Sequence, residues 1–304
     1  IIYNGAEPVR MATMQQFAKH FKTQGARLDM FSPCYGLAET TLMLTVGEQF
    51  AAPVQMKVDI ASLEKGKAVA AQPGKKSTTL VSSGRNILQN EAIVVDPQNR
   101  TRCPDLIVGE IWAKGPTVAK GYWNNPQETE KVFKAKLHES GSVDANYLRT
   151  GDLGFMNNGD LFVTGRLKDV IIIRGLNYYP QDIELVAEQS HEMLAKNAAA
   201  AFSIEEQGEE KPVVVVEADR KARAITAAEA GEILKLVSRQ VWQIHELVIF
   251  DAVLLKPGAL PKTSSGKVQR QLCKQLYLDN RLKEITRLKP CLLYTSDAAD
   301  DDVR

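Results

Sequence analysis

The sequence holds 304 residues, with 38 Lys and Arg against 37 Asp and Glu, 44% hydrophobic and 25% charged. That length suits two domains better than one, and the even charge excludes an overall field that would steer the chain to nucleic acid or an anionic membrane surface. Cys34, Cys103, Cys273 and Cys291 stand far apart without a CxxC pair; reduced thiols and a cytoplasmic location are therefore expected rather than a zinc site or disulfide framework, and no apolar run approaches the roughly 18 residues of a membrane span.

Residues 1–9 read as a strand running into a Gly-Ala-Glu turn. Residues 11–22 place Met11, Met14, Phe17, Ala18 and Phe21 at helical spacing, which predicts a helix with one apolar face. Residues 28–31 read as a short strand, and SPCYGLAETTLMLTV after them as a glycine-containing loop leading into an apolar segment. From 47 to 79 Lys, Ala, Gln, Gly and Pro dominate and the periodicity weakens, the pattern of a surface insertion. Short β segments follow at 91–95 and 108–114, then a turn at 121–126 and a short helix at 126–137. YLRTGDLGF and DLFVT flank an Asn-Asn-Gly-Asp turn at 157–160, which predicts a hairpin. Together these segments predict a small β-subdomain ending at Arg166.

Residues 165–184, GRLKDVIIIRGLNYYPQDIE, form a joint. The charged residues Arg166, Lys168 and Asp169 precede Val170-Ile171-Ile172-Ile173, a β-branched run that predicts a strand buried on both faces. Arg174-Gly175-Leu176-Asn177 breaks it, and Pro180 opens a helix with Asp182 and Glu184 in its first turn. We read the joint as a domain boundary with a hinge. Beyond it come a helix at 180–189, strands at 197–203 and 212–217 joined by EEQGEEK, and a helix at 226–244. Thr226 is the expected N-cap of that helix, with Glu229 closing a capping box. A strand at 247–253, a Pro/Gly/Ser loop at 256–266 and a final helix at 267–282 complete a compact α+β domain. CLLYTSDAADDDVR has no period; it is either a disordered acidic tail or, from Cys291 to Asp300, the translation of a sequencing-library adapter, and it is left out of the fold.

Several loop residues have the chemistry to act, each with a plainer alternative. Glu39, in the nearly uncharged YGLAETT, is suited either to hold a divalent cation beside phosphates or to sit at a helix N-terminus. Tyr35 either stacks on a base or packs in the core. Asp152, after Gly151, either accepts bonds from a ribose diol or makes a turn. PKTSSGKVQR fails as a phosphate loop, because Pro261 replaces the first glycine and Val268 follows the lysine. Lys267 is then either a mobile positive charge for a developing anion or a solvated lysine at a helix start.

The order of these segments is more specific than any one of them. NGAEPV, YGLAETT, GEIWAKGPTVAKGYW, YLRTGDLG, GRLKDVIIIRGLNYYPQDIE and PKTSSGKVQR resemble, in this order, the core motifs of the adenylate-forming, AMP-binding enzymes. That superfamily holds acyl-CoA synthetases, nonribosomal-peptide adenylation domains and luciferases. The similarity covers residues 1–282 and is greatest to the fatty acyl-AMP ligases. Ala38 stands where most relatives carry Thr, RGLNYYPQDIE has the form usual in that branch, and the long stretch from Glu39 to Gly84 corresponds to its insertion. In the family this insertion limits the rotation needed for the CoA-dependent half-reaction.

The resemblance implies an α/β to α+β fold. Residues 1–167 would be the end of the large adenylate-forming N-terminal domain with its small β-subdomain, 46–79 the insertion, 168–288 a compact α+β C-terminal lid domain, and 289–304 a tail. It implies ATP-dependent activation of a fatty acid to acyl adenylate with release of pyrophosphate, for transfer to an acyl carrier protein or polyketide synthase. A long-chain acyl-CoA synthetase and a non-catalytic interaction module on the same fold are the alternatives. By position, Gly5, Ala6 and Glu7 border the adenine, Tyr35 stacks on it, and Gly36 is a further nucleotide-binding residue. Glu39 helps hold Mg2+, Thr40 lies near the phosphates, and Asp152 binds the ribose hydroxyls with Arg166 assisting. Lys168 is the hinge residue, and Lys267 bridges the carboxylate and the α-phosphate. The family's Ser/Thr/Gly-rich phosphate loop and much of the fatty-acid tunnel are absent, which makes the chain the C-terminal half of such an enzyme. The 304-residue chain alone is expected to show no ATP–pyrophosphate exchange with a long-chain acid; robust exchange by the purified chain would overturn this.

Overall fold

The computed structural model describes residues 1–138, 146–222 and 225–289, so the expected tail beyond Lys289 lies outside the described residues. The chain divides into two compact units, the first ending at Lys168 and the second beginning at Asp169.

The first unit opens with strand Ile2–Asn4 running parallel to Phe31–Tyr35. A parallel pair needs a crossover, and helix Met11–His20 provides it, burying Met11 and Met14 in a cluster with Phe31 and Val81. The strand expected at 28–31 begins only at Phe31; Leu28–Met30 is a 3-10 turn. Ser and Pro are weak strand formers, yet Ser32 and Pro33 lie inside a strand paired on both edges, with Ile2–Asn4 on one and Thr45–Val46 on the other. Pro33 lacks an N–H, and its carbonyl accepts from Gly47 N at 2.7 Å.

The expected insertion is more ordered than its composition suggests. Gln55–Asp59 and Ser77–Val81 pair as antiparallel strands, and helix Ile60–Glu64 is capped by Asp59, whose carboxylate accepts from Ser62 N at 2.8 Å. Val58, Ile60, Leu63 and Ala68 are buried. Backbone bonds from Ala68 N to Leu106 O (2.8 Å) and from Val108 N to Gly66 O (2.9 Å) tie this segment to the β-subdomain.

The β-subdomain is an antiparallel sheet in the order Asp160–Arg166, Leu148–Asn157, Gly109–Lys114, Glu91–Val95. Val94, Ile111 and Leu161 form a cluster on one face, and Ile93, Val95, Trp112 and Tyr147 on the other. The expected hairpin closes through Asn158 and Gly159, both at positive φ (51° and 85°). Asn-Gly adopts that geometry at little cost, and its twist matches the flanking strands.

In the second unit the β-branched run becomes a hairpin rather than a doubly buried strand. Ile171–Ile173 pairs with Leu176–Tyr178 across Arg174 and Gly175, both at positive φ. Ile171 is buried but Ile172 is 51% exposed, because a two-stranded ribbon has only one face to lay on a core. Helix Pro180–Gln189 starts at Pro180 with Asp182 in its first turn, whereas Glu184 lies deeper in the helix and is buried.

The main sheet of this unit runs in the order Leu194–Glu206, Glu209–Ala218, Asp251–Leu255, Glu284–Leu288, with its central pair parallel. Both faces are covered, which explains the unbroken apolar runs AAAAF and VVVV. Ala199, Ala201, Val214 and Val216 pack with helix Ala227–His245, which has the expected Thr226–Glu229 capping box. Ala200, Phe202, Val213 and Val215 pack with Cys273 and Tyr277 of helix Arg270–Leu278. Several boundaries differ from expectation. The polar loop EEQGEEK is mostly strand around a Gln207–Gly208 turn, the strand expected at 247–253 is Asp251–Leu255, and the last helix starts at Arg270. Strand Glu284–Leu288, unexpected from the sequence, closes the sheet edge against Asp251–Leu255.

Candidate functional site

The first unit carries the candidate residues around the end of strand Phe31–Tyr35. A Cβ at Gly5 would stand 2.5 Å from the Cys34 carbonyl oxygen, and one at Gly36 would stand 1.9 Å from that of Leu42. Backbone meets backbone at both positions, so neither admits a side chain. Ala6 has φ 68° and Glu7 is exposed.

Ala38–Thr40 forms one 3-10 turn. Thr40 is buried, and its hydroxyl donates to the Leu37 carbonyl (3.0 Å) while accepting from Leu37 N (3.2 Å), so it braces its own turn. The Glu39 carbonyl accepts from Ala119 N at 2.8 Å, and Glu39 Oε1 accepts from the Tyr122 hydroxyl at 2.7 Å. Burial, and then the adjacent Glu39 carboxylate, push the Tyr122 phenol up to about 12. Tyr122 therefore remains a donor at neutral pH and holds one Glu39 oxygen, leaving Oε2 for another ligand.

Asp152 is 9% exposed. Its Oδ2 accepts from the Tyr35 hydroxyl at 2.8 Å and its Oδ1 from Arg166 Nε at 2.9 Å. Burial and the Asp152 charge hold the Tyr35 phenol well above its ordinary value. Tyr35 packs against two core clusters, one containing Leu44 and Ala92 and the other formed by Val94, Ile111 and Leu161, so the residue joins core packing to support of the carboxylate. Ionised Asp152 has lone pairs beyond those two donors, enough to receive the hydroxyls of a diol.

Lys168, the last residue of the first unit, is exposed in the 3-10 turn Leu167–Asp169. Lys267 belongs to the second unit, three residues before helix Arg270–Leu278 rather than at its start. Its backbone is held in a tight turn by Thr263 N to Lys267 O (2.8 Å) and Lys267 N to Thr263 Oγ1 (3.1 Å), with Gly266 at φ 87°. No ion pair engages its ammonium among the described residues.

The structure thus joins Tyr35, Asp152 and Arg166 in one cluster and sets Glu39 beside Tyr122. Sequence reasoning missed Tyr122, which lies in the quoted GYW segment and differs from Glu39 by 83 positions. It also gave no role to Glu110 or Arg149, although both lie in quoted motifs. Among the described residues no three His, Cys, Asp or Glu side chains gather as a metal site. A cation at Glu39 would share its coordination with ligand oxygens, a mode suited to Mg2+, which is commonly held by one or two carboxylates and substrate phosphates. No helix among the described residues is long and apolar enough to cross a membrane.

Residues 1–123 match a family described as AMP-binding enzyme, and residues 168–287 one described as Disco-interacting protein 2-like, AMP domain. The medium-chain-fatty-acid–[acyl-carrier-protein] ligase JamA of Moorena producens is 41% identical over 284 residues, 92% of this chain and 47% of the relative. A solved fatty acid AMP ligase from Legionella pneumophila is 39% identical with a TM-score of 0.54, over 94% of this chain and 49% of that one. A chain from a study of fatty acyl-adenylate ligases from E. coli and L. pneumophila is 31% identical with a TM-score of 0.78, over 91% and 47%. The chain spans about half the length of the curated relatives it matches.

Proposed function

Because this chain belongs to the AMP-binding, adenylate-forming superfamily, on its fatty acyl-AMP ligase branch, we propose that it is part of an enzyme that activates a fatty acid with ATP and passes the acyl group to an acyl carrier protein. The observation that supports this most is the Asp152 carboxylate, braced by the Tyr35 hydroxyl and the Arg166 guanidinium. In this reading Asp152 receives the ribose hydroxyls, with Arg166 assisting. Gly5, Ala6 and Glu7 border the adenine beside Tyr35, Gly36 is a further nucleotide-binding residue, and Thr40 lies near the phosphates. Lys168 is the pivot between the parts of the enzyme. ATP in the cytoplasm is the co-substrate.

Glu39 would hold Mg2+ together with triphosphate oxygens, and the bound ion would neutralise phosphate charge. In the reaction a fatty-acid carboxylate oxygen bonds to the α-phosphorus. The bond from that phosphorus to the α–β bridging oxygen breaks, and pyrophosphate leaves with the electron pair. Two anions must meet, so the protein's work is alignment and charge neutralisation. Lys267 supplies positive charge shared between the carboxylate and the α-phosphate. The phosphopantetheine thiol of a carrier protein then gives up its proton and attacks the acyl carbonyl carbon, and the bond from that carbon to the phosphate oxygen breaks as AMP leaves with the electron pair.

The test is to incubate the full-length protein with ATP, Mg2+ and fatty acids of graded length. Acyl adenylate and pyrophosphate are expected, then a thioester on phosphopantetheinylated carrier protein. Abundant acyl-CoA on adding CoA would overturn the acceptor, and absence of adenylate with every acid would overturn the activity.

A further inference from the structure

We propose that Glu110 and Arg149 are positioning residues for the nucleotide, acting through Asp152; this rests on Asp152 being the ribose-binding residue. The reason lies in strand register. In the pairing of Gly109–Lys114 with Leu148–Asn157, Glu110 lies opposite Leu153 and Trp112 opposite Arg149. Between those pairs one strand has a single residue, Ile111, and the other has three, Thr150, Gly151 and Asp152. Asp152 is therefore carried on a bulge. On the other edge of the same strand the register slips between Val163 and Gly165, and that slip brings Arg166 opposite Asp152. Both irregularities flank one carboxylate, and bulges commonly re-aim a side chain.

A bulge leaves backbone groups out of the ladder, and here they need partners. Thr150 Oγ1 donates to Ile111 O at 2.7 Å and accepts from Asp152 N at 3.1 Å. Gly151, at φ 70°, has its N–H directed to Glu110 Oε1 at 3.3 Å. Glu110 is 1% exposed, and its Oε2 accepts from Arg149 Nη2 (2.8 Å), Arg149 Nε (3.0 Å) and Trp112 Nε1 (2.9 Å). A buried carboxylate persists only when paired and hydrogen-bonded. Arg149 provides the pairing and Trp112 fixes the rotamer, so one oxygen is held where the Gly151 amide needs it. Neither Glu110 nor Arg149 touches Asp152; they hold the turn that presents it.

The test uses the full-length protein and fatty-acid-dependent exchange of labelled pyrophosphate into ATP, with 3′-deoxy-ATP as the comparison nucleotide. Wild type is expected to prefer ATP in kcat/KM by about tenfold or more, the usual weight of a hydrogen bond to a charged group. In Glu110→Gln the KM for ATP rises, the KM for the fatty acid holds, and the preference for ATP collapses to less than about threefold. General damage to the fold would lower activity with both nucleotides and leave their ratio intact. Arg149→Lys keeps the charge, loses the fork, and carries the same test should Glu110→Gln fail to fold. A folded variant that keeps the wild-type ratio overturns this inference alone. No exchange by wild type overturns the functional reading and this inference with it.

Discussion

Replacing Lys267 by Ala in the full-length protein is expected to lower acyl-adenylate formation by about 100- to 1000-fold, the range seen when one preorganised charge-stabilising group is removed. ATP binding and stability should hardly change. Both turn bonds that place residue 267 are made by its backbone, through Thr263 N and Thr263 Oγ1, and Ala retains them. The side chain makes no ion pair among the described residues, so its loss strands no partner. The measurements are single-turnover formation of adenylate and, separately, equilibrium binding of ATP. Unchanged turnover would remove Lys267 from the chemistry. A parallel loss of ATP affinity would make it a binding residue instead.

Arg270→Met is the substitution expected to cost most stability. Arg270 Nε and Nη2 donate to Glu184 Oε1 and Oε2 at 2.6 and 2.7 Å, and Nη1 lies 3.6 Å from Asp169 Oδ2. Burial alone would lower the affinity of Arg270 for its proton, but the two carboxylates outweigh it and the pKa is raised. Removing the guanidinium leaves Glu184 buried and uncompensated, at about 3–5 kcal/mol. The double substitution Arg270→Met with Glu184→Gln should recover most of that. It removes the stranded charge, and the Gln carbonyl can still accept from Ala201 N, which donates to Glu184 Oε1 at 3.0 Å. Urea unfolding of the full-length protein checks this; a double variant as unstable as the single one would show that charge burial is not the cause.

The two substitutions mark how far the sequence could be read. Lys267 was legible as a candidate from its motif, since order and residue type carry that information. The importance of Arg270 was not, because its partner Glu184 is 86 positions away and reads locally as a carboxylate near a helix start. The β-branched run at 170–173 shows the same limit from the packing side: composition reported a strand correctly, but Ile172 ended exposed because the segment pairs with only one neighbour. SPCY erred in the opposite direction, reading as loop while lying inside a paired strand.

What the sequence by itself determined is what short-range chemistry controls. The capping box at Thr226, Pro180 at a helix start, the Asn-Gly turn at 158–159 and the apolar face from Met11 to Met14 each depend on residues within one or two turns of backbone. Only the tertiary structure decided which side chains meet. Tyr35 and Asp152 pair across 117 positions, and Asp152 faces Arg166 because one strand slips by a residue between Val163 and Gly165. Glu110 reaches Gly151 because three residues bulge opposite one. Register is a property of two strands at once, and a bulge on either edge re-aims the side chains beyond it. No periodicity along a single strand encodes that.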